Sequence, residues 1–493
     1  MGLSFFDESA AGVSTLDHGI HASAGKSPPG IKGALDDEFI GLLPTENFRL
    51  RKGKCASLDG EANYFQNELI AVPKDGMEVS GFSRGVGRKT DVANWAATSR
   101  SKPLALPSLV WIGSPSILLD AYVMPGGRFL TSDGSELNVK LVPPLATNRS
   151  YFNRVTAEYF EGRRVRMRGT VEKVDGRLLF VARTIWPTDF NFDIHSLTSE
   201  PLRGWGELTE LMRQPIGQKT GVDSRVLWER HPCQKRDWQR KPVLAIVLNG
   251  AQGDNTKSLG GHIAVVTGRL GDKGDWSDWA VNNFYDLDSV SEKGIIPAIV
   301  PMDNYLMDLN SGQQYYRPSY MLVAVLGDQR TAVGFQGGVQ RVFNQFYRHD
   351  FQYHHATANC AGISVDILDS LGWHIPQRGP SGTWKAIAAY AYVAMREGSL
   401  ASGRKMFNYM NEEQTRLLPA VAFEAAALDL LRIVGSTVAP RRVLSGYENQ
   451  LRNDVEAIFL VRIPQIPSGR AQGSAPAFSF DEFRSRVAED HAK

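Results

Sequence analysis

A chain of 493 residues with 55 basic and 53 acidic side chains carries a formal net charge of +2, so no overall field draws it to nucleic acid or to an anionic surface. Its 42% hydrophobic and 22% charged content is that of an ordinary folded protein, at a length beyond what one core usually serves. Cys55, Cys233 and Cys360 are too few and too far apart for a disulfide framework, which favours a reducing compartment. MGLSFFDESAAGVSTLDHG, at the N-terminus, lacks the basic and then apolar regions of a signal peptide, so cytoplasmic synthesis is expected, with any export independent of such a signal. The longest apolar stretch, 103–124, is broken by three prolines and carries Asp120; it reads as strands and turns, with no transmembrane segment.

Residues 1–104 carry little periodic signal and read as an irregular N-terminal region with one strand near NELIAVP (67–73). GFSRGVGRKT (81–90) has the glycines of a phosphate loop without its spacing. Short β segments follow from 105 to 195. In YFEGRRVRMRGTVEKVDGRLLFVARTIWP (159–187) two strands meet at the turn Asp175-Gly176. The first alternates Val165, Met167 and Gly169 with Arg164, Arg166 and Arg168. This stretch resembles the later strands of a small OB-like barrel, which makes Arg164, Arg166 and Arg168 candidates for polyanion binding. No aromatic residues alternate with them, so a solvated strand face is the simpler expectation and there is no strong nucleic-acid signal.

Residues 200–240 read as helix and loop. KPVLAIVLNG (241–250), GGHIAVVTGRL (260–270), WSDWAVNNFYDL (276–287) and SYMLVAVLGD (319–328) form a second β-rich block. Between 382 and 436, TWKAIAAYAYVAMREG and LLPAVAFEAAALDLLRIVG are amphipathic helices expected to pack on a core, with a lipid-facing role as the less favoured alternative. IPQIPSGRAQGSAPA (463–477) reads as a linker to a charged tail.

The segment HHATANCAGISVDILDSLGW (354–373) puts a cysteine directly behind a helix cap. Ile363, Ile367 and Leu371 recur four apart, Gly372 supplies a left-handed stop, and Asn359 is a good N-cap. Cys360 then takes the first helical position, where unpaired backbone N–H groups and the helix dipole favour thiolate. Asp366 and Asp369 are expected on the solvated face. A thiol nucleophile needs an imidazole, and the imidazole needs a polar group to orient it. His262 opens the strand HIAVVTG behind Gly260-Gly261, and a hairpin turning near Asp272 sets it opposite Asn282 and Asn283. Either amide fixes the tautomer. Taken alone, a cysteine on an apolar helical face is more often structural. Adjacent His354 and His355 point to opposite faces of an extended chain, His231 and Cys233 lack a second ligand pair, and Cys55 has no helix start beside it. No metal or cofactor is expected.

A strand opening Gly-His-Ile, a hairpin partner bearing a polar residue, and a later Asn-Cys at a helix start resemble the circularly permuted papain-like superfamily, which includes relatives of NlpC-type cell-wall peptidases and of lecithin:retinol acyltransferase. In those proteins the histidine precedes the cysteine, and GGHIAVV and TANCAGISVDILDSLG match that order over about residues 240–375. The resemblance implies Cys360 as nucleophile, His262 as general base and then acid, and Asn282 or Asn283 as the orienting residue. It also implies oxyanion support from the Cys360 N–H beside the Asn359 cap. Residues 288–350, longer than a minimal permuted domain needs, are expected to form a lid or a specificity wall.

The expected architecture is therefore multidomain α+β: an irregular region 1–104, an OB-like module 105–195, a permuted papain-like domain 200–380, a helical region 381–462, and a linker and tail 463–493. The implied activity is cleavage of an amide or peptide bond through a Cys360 thioester, with a peptidoglycan-like peptide as the substrate of the analogy. Two alternatives stand beside it. One is a lipid or thioester acyl hydrolase or acyltransferase using the same dyad and binding an acyl chain. The other is a non-enzymatic scaffold acting through the OB-like module. A delivery or inhibitor protein is not legible in the sequence.

Overall fold

PVLAIVLN and SYMLVAVL are near-continuous apolar runs, the pattern of strands covered on both faces. In a computed structural model both are buried end to end. That structure describes residues 88–99, 116–141, 154–213, 221–249, 261–271, 273–284, 298–307, 319–347, 353, 358–380, 382–436 and 442–467, with short strands at 31–32, 42–43, 50–52, 62–64, 70–73 and 109–112. Cys55, His354, His355 and the tail from 468 lie outside the described residues.

The fold is α+β. Its smaller sheet contains β1 (Ser116–Met124), β2 (Arg128–Leu130), β3 (Arg164–Val174) and β4 (Arg177–Ala182). β3 and β4 join through Asp175 and Gly176, both at positive φ, as a two-residue hairpin. The pairing path runs from Val139–Leu141 through β4, β3, β1 and β2 to Glu136–Leu137. One residue separates those two end strands in the chain, so the sheet curls until its edges approach each other.

The larger sheet is antiparallel through its centre, in the order β5 (Asp223–Glu229), β11 (Val455–Ile463), β10 (Ser319–Leu326), β6 (Pro242–Asn249), β7 (His262–Arg269), β8 (Ala280–Asn283) and β9 (Ala298–Pro301). Beyond β9 it continues into Ile70–Pro73 and Leu109–Ile112. The helices include α1 (Arg88–Ser99), α2 (Met302–Met307), α3 (Arg330–Tyr347), α4 (Cys360–Leu371), α5 (Thr383–Glu397), α6 (Leu400–Asn411) and α7 (Pro419–Ile433). The two faces of β7 are covered differently. Thr267 bonds to Gln336 of α3 at 2.8 Å, while Gly268 lies under Trp279, whose ring a Cβ there would meet at 2.4 Å.

Several expectations change. Of the segment 288–350, expected as a lid or specificity wall, the described residues 298–307 and 319–347 supply β9, α2, β10 and α3, which pack into the core as a lid would not. The helical region expected at 381–462 ends in β11, which sits between β5 and β10, and the expected linker begins with Ile463 and Ile466 fully buried. DSRVLWE, read as helix and loop, is β5; its mixed charges fit a strand with one partly exposed face. The N-terminal region contributes α1, whose Asp91 grips Arg341 of α3 at 2.6 and 2.7 Å. The two sheets also share one core rather than two. Phe192 stacks on Trp276 at 5.1 Å and touches Phe459 of β11 at 5.2 Å, while Trp186 meets Trp276 edge-on at 4.7 Å.

Candidate active site

Asn359, with extended backbone (ψ −177°), turns its Oδ1 back to accept from Gly362 N–H at 2.9 Å, and Gly372 closes the helix at φ 105°. These caps make α4 start at Cys360. Asn359 Nδ2 also donates to the Leu417 carbonyl at 2.8 Å, so the cap is tied to the chain entering α7. Nearly all of α4 is buried, including Asp366, contrary to its expected place on a solvated face. The reason is ionic: Asp366 takes Arg88 at 2.7 Å, Arg416 at 2.9 Å and Lys89 at 3.5 Å, fastening α1 and the segment before α7 to the cysteine helix.

Cys360 faces the first residues of β7, where its thiol is hydrogen-bonded by His262. Burial alone would push that thiol up. The charge and hydrogen bond of His262, the Ile263 backbone N–H and the Tyr353 hydroxyl outweigh it, and the thiol lies below its ordinary range. His262 Nε2 donates to Asn283 Oδ1 at 2.7 Å, which leaves Nδ1 for the sulfur. Cys360, His262 and Asn283 are all buried.

The register decides between the two asparagines. Val265 pairs with Asn282, so His262 is not directly opposite either amide, and the expected pairing is shifted. Neighbouring residues on a strand point to opposite faces. Asn282 turns toward α3, exchanging hydrogen bonds with Gln336 at 3.0 and 3.3 Å and donating to the Val265 carbonyl at 3.1 Å. Asn283 turns toward the imidazole.

Three side chains near the dyad gave no separate signal in the sequence. Tyr353, seven residues before the cysteine, accepts from the Cys360 backbone N–H at 3.3 Å. Tyr305 of α2 lies 6.0 Å from the His262 ring, centroid to centroid, and its hydroxyl donates to Asn249. Asn249 pairs with His262 across the sheet and donates to Ser319 Oγ at 2.7 Å. The polar ends of three buried strands therefore meet behind the imidazole.

The arginine strand behaves otherwise. Arg168 keeps to the same face as Arg166, but the 275–278 turn and α2 cover that face, and Arg168 is fully buried instead of solvated. Its Nε bonds both oxygens of Asp303 at 2.9 and 3.1 Å, and Nη2 pairs with Asp278. Arg166 pairs with Asp275 and Ser277. Burial, partly offset by Arg168, pushes Asp303 up to about 6. Arg168 thus joins the two sheets and is closed to a polyanion. Arg164 and Arg166 do line a cleft of about 450 Å³, with Lys273 but also Asp189 and Asp275, and it shares no residue with the cysteine site.

Cys233 is exposed, and no group of three metal-ligating side chains gathers among the described residues. No described helix is long and apolar enough to cross a membrane. Comparison with family models, with curated proteins and with solved structures returns no match.

Proposed function

We propose that this protein is a cysteine-dependent acyl hydrolase that cleaves an amide or peptide bond, with Cys360 as nucleophile, His262 as base and acid, and Asn283 as the positioning residue. One observation carries the reading: a thiol drawn below its ordinary range shares one imidazole with an amide oxygen 2.7 Å from the other ring nitrogen. That arrangement gives each member the task the chemistry needs.

Cys360 sulfur attacks the carbonyl carbon of the substrate, and its proton resides on His262. The carbonyl oxygen becomes an oxyanion at the head of α4, where it would take the Cys360 backbone N–H from the Tyr353 hydroxyl oxygen that accepts it in the free protein. Collapse breaks the carbon–nitrogen bond as His262 gives its proton to the leaving amine. Water, deprotonated by His262, then attacks the thioester and releases a carboxylic acid and the thiol. Asn283 holds the ring through both steps and touches neither substrate nor sulfur. The order His262, Asn283, Cys360 along the chain is that of the permuted papain-like enzymes, and cell-wall peptide is the first substrate to try by that analogy.

The test is direct observation of the acyl-enzyme. Wild-type protein mixed with a panel of short peptide amides and p-nitrophenyl acyl esters, then quenched in acid, should carry an acyl mass on the Cys360 peptide. Cys360→Ser should carry none. Turnover that persists in Cys360→Ala would overturn the proposal. Acylation by long-chain esters alone would move the reading to the lipid acyl hydrolase.

A further inference from the structure

TWKAIAAYAYVAMRE and LLPAVAFEAAALDLLRI look alike as sequence, but only the second packs on a core. Every residue of α7 except Arg432 is buried, whereas α5 buries only Ala386 and its partner α6 only Gly403. The pair forms a hairpin whose closest approach is at Gly403, where a Cβ would meet the Tyr390 carbonyl and the Ala394 methyl at 2.8 Å. Among the described residues its other side has no partner. Trp384, Ile387, Ala388, Ala391, Tyr392 and Met395 recur at helical spacing along the outer face of α5, all exposed. Trp384 is 85% exposed and Met395 77%, and Leu400, at 72%, stands at the turn into α6.

We infer that this hairpin is an interfacial anchor that docks on an anionic phospholipid surface. Charge selects the occupant. Within 382–411 Lys385, Arg396, Arg404 and Lys405 face a single carboxylate, Glu397, a net charge of +3 in a chain whose total is +2. Lys385 and Arg396, eleven residues apart, flank the apolar stripe near its two ends. A second copy of the chain would bring two such positive hairpins together, which argues against self-association. The stripe is a convex ridge about 17 Å long by helix rise, with Trp and Tyr among its side chains, the form of a helix that lies in a bilayer interface. The basic residues add attraction to anionic headgroups.

The anchorage of the hairpin relates this surface to the cysteine site. It is inserted at a closed base: Gln414 N–H bonds the Arg378 carbonyl at 2.9 Å, and Arg378 N–H bonds Glu413 at 2.8 Å and Thr415 at 2.9 Å. Three residues beyond Gln414, the Leu417 carbonyl holds the Asn359 side chain that caps α4. A surface bound by the hairpin would therefore lie near the head of the cysteine helix. Lipid docking does not depend on the hydrolase reading, because it is measured without turnover.

The experiment is co-sedimentation of the full-length protein with vesicles of phosphatidylcholine alone and with vesicles of phosphatidylcholine and phosphatidylglycerol in equal parts. Wild type should pellet with the mixed vesicles, less so at high salt. Trp384→Ser with Met395→Ser and Leu400→Ser should weaken that binding by about tenfold or more, and Lys385→Glu with Arg404→Glu and Lys405→Glu should abolish the preference for the anionic vesicles. All six side chains are exposed, so unchanged thermal melting certifies the variants as folded. Wild type that stays in the supernatant with both vesicles overturns the inference. So does a stripe variant that binds like wild type. A concentration-dependent dimer seen by light scattering and lost in the stripe variant would assign the face to a second copy instead.

Discussion

Two buried polar clusters lie in this fold, and they use burial in opposite ways. Around Arg168, opposite charges close on one another: the guanidinium is held by two carboxylates from the turn before β8 and from α2. Around Cys360, the thiol is drawn below its ordinary range and turned toward an imidazole that is itself held by an amide. Burial of polar groups is therefore not what marks a site. At Cys360 a thiol faces an imidazole already in place, whereas the arginine cluster pairs an always-charged guanidinium with carboxylates. Both are costly to disturb, but only one should change thiol chemistry.

The sharpest way to break the comparison is at Asp303. Asp303→Ala strands Arg168 in the core with one partner fewer, and removing one partner of a buried pair costs about 3–5 kcal/mol. Urea unfolding should report that loss while the alkylation rate of folded Cys360 is unchanged; a large fall in thiol reactivity would join the two clusters into one. Next comes Asn283→Ala. It leaves a buried imidazole N–H without its acceptor, a penalty of about 1–3 kcal/mol, so alkylation of Cys360 near neutral pH should slow by roughly five- to a hundredfold. Asn282→Ala is the matched control one residue away. It should lower stability through the lost Gln336 bonds yet preserve the pH profile of the thiol, and a profile shifted like that of Asn283→Ala would reverse the two assignments.

A pH effect separates the clusters further. Asp303 is raised in the folded chain to about 6 from an ordinary 3.8, so between those values the folded state holds the proton more tightly than the unfolded state. This group's contribution to stability is therefore greatest at low pH and declines as pH rises through that window. Asp303→Asn should remove the decline, visible as a change in the slope of the urea midpoint against pH. The smallest effect is expected at Arg164, an exposed residue of β3. Arg164→Ala should change stability by no more than about 0.5 kcal/mol, in contrast with Arg168→Ala on the same strand.

The parts of this structure that are legible in the sequence are those set by local rules. The caps of α4, the Asp175-Gly176 turn and the buried runs of β6, β7 and β10 follow from residue type and spacing alone. Strand alternation also leads to one of two asparagines, but choosing between them takes the register, which a turn of unknown length hides. Arg168 misleads for a related reason. Its face of β3 is covered by segments far along the chain, and its carboxylates come from positions 110 and 135 residues away. Asp366 is hidden likewise, since its cations come from α1 and from the segment before α7. Tyr353 and Tyr305 carry no local pattern at all. In α5 the pattern is plain, but periodicity shows that a stripe exists and not what covers it.

The central claim is that His262 sets the state of the Cys360 thiol, and alkylation by iodoacetamide across pH tests it most directly. Wild type should react well below the pH at which an ordinary thiol, with a pKa of about 8.5, becomes a thiolate. His262→Ala should return the profile to that ordinary range or above, because burial then acts without its counterweight. Overlapping profiles for the two proteins would contradict the account and leave Cys360 a structural residue of α4.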